Sequence, residues 1–195
     1  MDKKEIQAKR MKKYFIDATK EVVKKEGPGE ITVKKIADIA GYAPATLYNY
    51  FEDLNELMFY AGVDFFADSK DYVLNRVDGV EGLKEKIIIS SKAYGRFFIE
   101  NPNAFTLVFL QDIKMPEEWR EAGYVPDVAK LTTDYLVSYA KEGFIDEGSI
   151  ETVLGLLSNS IHGTLLFYIK ERGGGVTAEQ IIDKIEQEAR YVLEK

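Results

Sequence analysis

Residues 32–51 read TVKKIADIAGYAPATLYNYF, and this stretch decides the fold. Val33, Ile36, Ala37 and Ala40 recur at i, i+3, i+4 and i+7, which is one face of an α-helix. Thr32 stands just before that stripe, where its hydroxyl accepts a hydrogen bond from a free backbone N–H of the first turn. Gly41 comes where a left-handed residue must reverse the chain. Pro44 brings a fixed φ and no N–H to the start of a second helix. The turn therefore spans Gly41 to Ala43, and Leu47 and Phe51 anchor the second helix in the core. Ala45 and Thr46 lead that helix with small side chains, so its backbone approaches a duplex closely. The pattern predicts a DNA-reading helix-turn-helix. Thr46, Tyr48, Asn49 and Tyr50 fall on or beside its exposed side, where hydroxyl and amide groups reach base edges or phosphate oxygens in the major groove. Tyr48 and Tyr50 suit phosphates, and Asn49, Ala45 and Thr46 lie nearer bases. Thr32 doubles as cap and phosphate donor.

Thr32, the IAxxAG run from Ile36 to Gly41 and ATLYNYF from Ala45 to Phe51 together resemble the DNA-binding domain of the TetR/AcrR family of transcriptional regulators. The resemblance covers about the first 55 residues. It implies an all-α chain, with a three-helix DNA-binding domain at residues 1–52 and a larger helical effector-binding and dimerisation domain at residues 53–195. Lys34 matches a position from which family members touch DNA. Two departures bear on affinity. Ala43 stands where Ser often caps the reading helix, which costs about 1 kcal/mol of capping. Leu54 stands where a phosphate-directed Lys is common, which either shifts anchoring to Lys9, Lys12 or Lys13 or weakens it. Tyr42 is an additional aromatic in the turn.

Charge agrees with a nucleic-acid partner once it is split along the chain. The net charge is −7, but residues 1–51 hold 11 Lys or Arg against 7 Asp or Glu, and the remainder 15 against 26. The segment with the reading motif thus carries +4 and the rest −11, so counterion release is available only at the N-terminal end. Within the first helix, Lys9, Arg10, Lys12, Lys13, Lys20, Lys24 and Lys25 are expected to face water, opposite an apolar stripe of Met11, Phe15, Ala18 and Val22.

The rest of the chain reads as helix. Segments are expected at 6–26, 53–76, 81–100, 105–110, 127–142, 150–171 and 178–193, with 115–126 irregular and Gly173 to Gly175 a flexible joint. Period-2 alternation is absent, so no sheet is expected. No apolar run approaches the roughly 18 to 20 residues of a membrane helix, the N-terminus lacks an apolar signal region, and there is no Cys. The expected location is the cytoplasm, with no membrane partner. An enzyme would need a nucleophile with a base, a carboxylate pair or a metal cluster. One His and no phosphate-loop or zinc motif argue against it, so no cofactor and no metal site are expected.

In the C-terminal two-thirds, Tyr94, Phe98, Phe109, Trp119, Tyr135 and His162 are the candidates for a mainly apolar effector pocket, which the resemblance implies. His162 has apolar neighbours in sequence, as a buried structural imidazole would. The last two helices are amphipathic, and the resemblance assigns them to a homodimer; Gly155, Ser158 and Gly163 would permit close approach. Two copies read half-sites about 34 Å apart or at multiples of that spacing. The function implied is a ligand-responsive regulator, a repressor released from a palindromic operator by a small molecule. The alternative is an effector-independent DNA-binding or helical interaction protein.

Overall fold

A computed structural model describes residues 2–172 and 174–194. Gly173, the first residue of the expected glycine joint, lies outside them. Among the described residues ten α-helices run in order: α1 (Lys3–Glu26), α2 (Val33–Ala40), α3 (Pro44–Leu47), α4 (Leu54–Val77), α5 (Leu83–Glu100), α6 (Pro102–Phe105), α7 (Glu117–Glu121), α8 (Asp127–Lys141), α9 (Ile150–Ile169) and α10 (Ala178–Leu193). No strand occurs among the described residues. The chain is all-α, as its periodicity predicts.

Two compact units are present, Met1–Phe65 with Asn101–Tyr124, and Phe66–Glu100 with Val125–Lys195. The first contains α1 to α3, the opening of α4, α6 and α7. Helix α1 starts three residues earlier than its apolar stripe suggests, because Asp2 and Glu5 cap it reciprocally: Asp2 accepts from the Lys4 N–H at 3.1 Å and Glu5 from the Asp2 N–H at 2.8 Å. The stripe Met11, Phe15, Ala18 and Val22 is buried as expected. One lysine departs from the solvated face. Lys20 is 7% exposed and pairs with Asp64 of α4, its ammonium lying 5.0 Å from the Phe65 ring centroid. A sequence stripe does not disclose this, because the partner is 44 residues away.

The segment expected as one apolar helix at 105–110 is instead α6 followed by a wide helical turn over Thr106–Leu110. The expected irregular stretch does contain one short helix, α7. Trp119 in it packs edge-on against Phe59, Tyr60 and Tyr124 at 4.9–5.5 Å between ring centroids. Its indole N–H points to the Tyr60 hydroxyl at 3.4 Å.

In the second unit, α5 packs along α10, and α8 and α9 complete the bundle. Ile87, Leu136, Leu157 and Leu193 meet in one buried cluster, and Val73, Val77, Ala93 and Val128 in another. Gly95 lets α5 approach α10 closely. Arg190 grips Glu85 through two hydrogen bonds at 2.8 and 3.1 Å, and Arg96 grips Glu179 through two at 2.7 Å. The Arg96–Glu179 pair reaches the surface and the Arg190–Glu85 pair is half-buried, so both fix register more than they stabilise.

The expectation that no run is apolar enough to cross a bilayer needs correction. Within the 23 residues Glu147–Ile169 an 18-residue window reaches mean hydropathy 1.3, sufficient by length and composition alone. Its apolar residues divide between two faces. Val153, Leu157, Ile161 and Leu165 are buried, whereas Leu156, Leu166 and Phe167 are exposed.

Candidate nucleic-acid interface

Helix α2 begins where Thr32 predicts. The backbone of Thr32 is extended, and its hydroxyl oxygen accepts from the Lys35 N–H at 3.2 Å. Ile36 and Ala37 are fully buried. Gly41 ends the helix in the left-handed region at φ 77°, and the Tyr42 N–H returns to the Ala37 carbonyl at 2.9 Å. An L side chain at Gly41 would be strained by the backbone alone. Ala43 precedes α3 without a side-chain cap, as its methyl dictates.

Helix α3 is shorter than expected. Regular helix ends at Leu47, and Tyr48 to Phe51 continue as tight turns in which the Asn49 N–H bonds the Thr46 carbonyl and the Tyr50 and Phe51 N–H groups bond the Leu47 carbonyl. The anchors are nonetheless those the spacing gives: Leu47 and Phe51 are 0% and 2% exposed. Between them Tyr48 and Asn49 are exposed and Tyr50 half-buried, while Ala45 is exposed and Thr46 half-buried. Burying every fourth residue turns the polar ones outward.

Adjacent lysines on α2 have different fates. Lys35 is held by Glu26 at 2.9 Å and Glu30 at 3.3 Å, the hydrogen bond it donates to Glu26 doing most to raise its pKa. Lys34 is exposed and makes no ion pair among the described residues. Of the other lysines considered as phosphate anchors, Lys13 binds Asp17 at 2.8 Å and Asp64 at 3.0 Å. Lys12 places its ammonium over the Phe51 and Tyr60 rings, 5.3 and 4.9 Å from their centroids. Lys9 remains exposed. Next to Leu54 the surface is acidic: Asp53 accepts from the Glu56 N–H at 2.8 Å, and Glu56 reaches back to the Glu52 N–H. That turn repels phosphate.

The six effector candidates do not form one group. Tyr94, Phe98 and His162 meet in the second unit: Tyr94 and Phe98 are edge-on at 5.0 Å, and the Tyr94 hydroxyl lies 3.0 Å from His162 Nε2. Burial raises the Tyr94 pKa and lowers that of His162 to about 4, so both are neutral at pH 7. Tyr135 packs beside the Ile87 and Leu136 cluster of the same unit. Trp119 and Phe109 belong to the first unit, Phe109 packing on Phe105 at 4.8 Å. Ser90 was missed in sequence. It lies one helical turn before Tyr94 on α5, is 3% exposed, and its hydroxyl has no hydrogen-bond partner among the described residues. Only its spacing from Tyr94 and Phe98 could have signalled it. No group of His, Cys, Asp and Glu suited to a metal ion occurs among the described residues.

The Gly41 turn between α2 and α3 and the exposed segment that follows have the geometry of a helix-turn-helix. Residues 15–61 match the family described as bacterial regulatory proteins, tetR family. The N-terminal part is therefore a TetR-family DNA-binding domain, and the fold of the chain is that of TetR-family transcriptional regulators. The chain is similar to the fatty acid degradation regulator FadR from Bacillus halodurans, with 15% identity, TM-score 0.70, and 94% of each chain covered. It is similar to a TetR transcriptional regulator from Rhodococcus sp. RHA1, with 18% identity, TM-score 0.65, and 96% and 97% covered. A protein of unknown function from Rhodococcus sp. RHA1 aligns at 15% identity and TM-score 0.72, with 93% and 94% covered. No curated protein matches the sequence.

Proposed function

We propose that this chain is a ligand-responsive transcriptional repressor, cytoplasmic and without enzymatic activity. It binds a palindromic operator as a homodimer and is released by a small, mainly apolar effector. The observation that carries the reading is the exposed run Tyr48–Asn49 set between the buried anchors Leu47 and Phe51, within the matched family segment. Residues 1–52 form the reading part. Ala45, Thr46 and Asn49 face bases, and Tyr48, Tyr50, Thr32 and Lys34 hold phosphates.

Residues 53–195 supply the other two roles. Homodimerisation uses the exposed face of α9, where Leu156, Leu166 and Phe167 lie with Gly163, together with α10. The effector site centres on Tyr94, Phe98 and His162 of the second unit, with Tyr135 of the same unit as further lining. Aromatic rings supply its apolar surface. The Ser90 hydroxyl and the neutral Tyr94 and His162 pair supply hydrogen bonds without charge, which suits an effector with an uncharged polar end. Binding of effector favours a form whose reading heads are misplaced for the operator.

Selection of bound fragments from random duplexes tests the core of this reading. An inverted repeat recovered by the parent chain, and lost with Tyr48→Ala, is the expected result. Uniform, steeply salt-sensitive binding to every duplex would instead indicate an effector-independent DNA-binding protein. A titration in which a bound effector leaves operator affinity unchanged would remove the regulatory part.

A further inference from the structure

Tyr42 and Tyr14 are not explained by the three-helix core. Tyr42 sits in the turn between α2 and α3, two residues before Pro44, and is 38% exposed. Tyr14, on α1, is 53% exposed. Their rings lie 6.4 Å apart, and Tyr42 rests on buried Phe15 at 5.7 Å. Phe15 also touches Tyr50 at 6.2 Å. The two tyrosines therefore form an edge contiguous with the reading segment. Neither hydroxyl makes a hydrogen bond to the described residues. Core packing accounts for the inner part of each ring and leaves the polar tips in water.

The surrounding charge adds the second argument. Lys12, Lys13 and Lys35 are all committed within the first unit, and the turn around Leu54 is acidic. A head short of cationic anchors needs neutral donors to fix its register, and tyrosine hydroxyls serve as such donors to phosphate oxygens. We propose that Tyr14 and Tyr42 form an uncharged phosphate clamp, gripping the operator backbone beside the reading segment. The proposal rests on the DNA-binding reading above and adds two residues from outside the recognition helix. A neutral O–H releases no counterion, so the clamp adds affinity without adding to the salt dependence.

The test uses the full chain with Tyr14→Phe, Tyr42→Phe and the double variant, on the selected operator and on an unrelated duplex. Phe keeps the ring contacts, so melting curves should coincide with the parent. Each variant is expected to bind both duplexes about threefold to tenfold more weakly, the effect of one neutral hydrogen bond. The slope of log affinity against log salt should stay unchanged. Lys34→Ala should reduce that slope by about one. If the double variant holds DNA as tightly as the parent while Tyr48→Ala weakens binding, the clamp is wrong and the DNA-binding reading survives. A loss confined to the operator would place the pair on bases and overturn the phosphate assignment. A parent that binds no duplex overturns both.

Discussion

The side-chain amide of Asn55 holds the backbone of Lys114 in both directions: Nδ2 donates to the Lys114 carbonyl at 2.9 Å, and Oδ1 accepts from the Lys114 N–H at 2.9 Å. Asn55 is in the first turn of α4, four residues past Phe51, which closes the reading segment. Together with Trp119 against Tyr60, this pair docks residues 111–124 against the opening of α4. Asn55→Ala is expected to cost about 1 to 2 kcal/mol of stability. Amide exchange should rise across 111–124 and most at Lys114. Unchanged exchange at Lys114 would show that the amide is not what holds the segment.

Asp64 is placed to make the first unit acid-sensitive. Its burial works to raise its pKa, but the hydrogen bonds from Lys20 and Lys13 outweigh that and leave it below the usual carboxylate range. A carboxyl lowered on folding contributes stability that is present above its unfolded pKa and disappears as pH falls through its folded pKa. The parent should therefore lose stability on acidification below about pH 4 in part through this group. Asp64→Asn should be less stable at pH 7 by about 2 kcal/mol, and the difference should shrink towards pH 2. Denaturant melts of both proteins across that range give the comparison. A gap independent of pH would mean that the lysines do not hold the carboxylate.

His162 offers a cleaner titration because it is the sole histidine. Burial lowers its pKa from 6.5 to about 4, so the unfolded chain binds this proton more readily between those values. Stability should consequently fall as pH drops from about 6.5 to about 4 and level off, for this group, below. One imidazole C2 proton resonance reports the midpoint directly by NMR. A midpoint near 6.5 would place the ring in water and remove it from the proposed effector site.

What could be read in advance follows from distance along the chain. The Ile36 and Ala37 stripe, the Gly41 turn, the Pro44 start and the Leu47 and Phe51 anchors are consequences of neighbours within a few residues. All are found where the spacing puts them. The early end of α3 was not legible, since the periodicity of Leu47 and Phe51 is shared by a helix and by the tight turns that replace it. Lys20, Asp64 and Trp119 were misjudged or unplaced for a different reason. Their environments are made by residues tens of positions away, and a charged residue on a helix reads as solvated unless its partner is known. The same holds for the effector candidates, where aromatic type alone could not separate Tyr94 and Phe98 from Trp119, a ring that packs against the opening of α4 in the first unit.

The proposed dimer makes Gly163 a discriminating position. A methyl built on Gly163 meets no atom within 4 Å, so Gly163→Leu should not destabilise the subunit and should raise its stability by about 0.5 to 1 kcal/mol through helix propensity. Across a two-fold axis the same side chain would stand between two α9 helices. Sedimentation should then show the parent as a dimer and the variant shifted to monomer, with operator affinity lost in step. A variant that remains dimeric with full affinity would move the interface away from this face.

Gly95 tests how tightly α5 and α10 are fitted. A methyl there would stand 2.6 Å from Ile185 Cδ1 and 3.6 Å from Ile182 Cδ1. Alanine is favoured over glycine in a helix interior by about 1 kcal/mol, and overpacking costs about 1 to 3 kcal/mol. Ile185 and Ile182 are 1% and 3% exposed, so the crowded Cδ1 has no open solvent to swing into. Overpacking should win, and Gly95→Ala should destabilise by about 1 kcal/mol net. Ile185→Val removes the crowded carbon and by itself costs about 1 kcal/mol. In the Gly95→Ala background it also relieves the collision, so the double variant should be more stable than the two single effects added together. A double-mutant cycle from denaturant melts measures the coupling. Strict additivity would mean that the helices separate slightly to admit the methyl, and that their contact at Gly95 is not what sets their spacing.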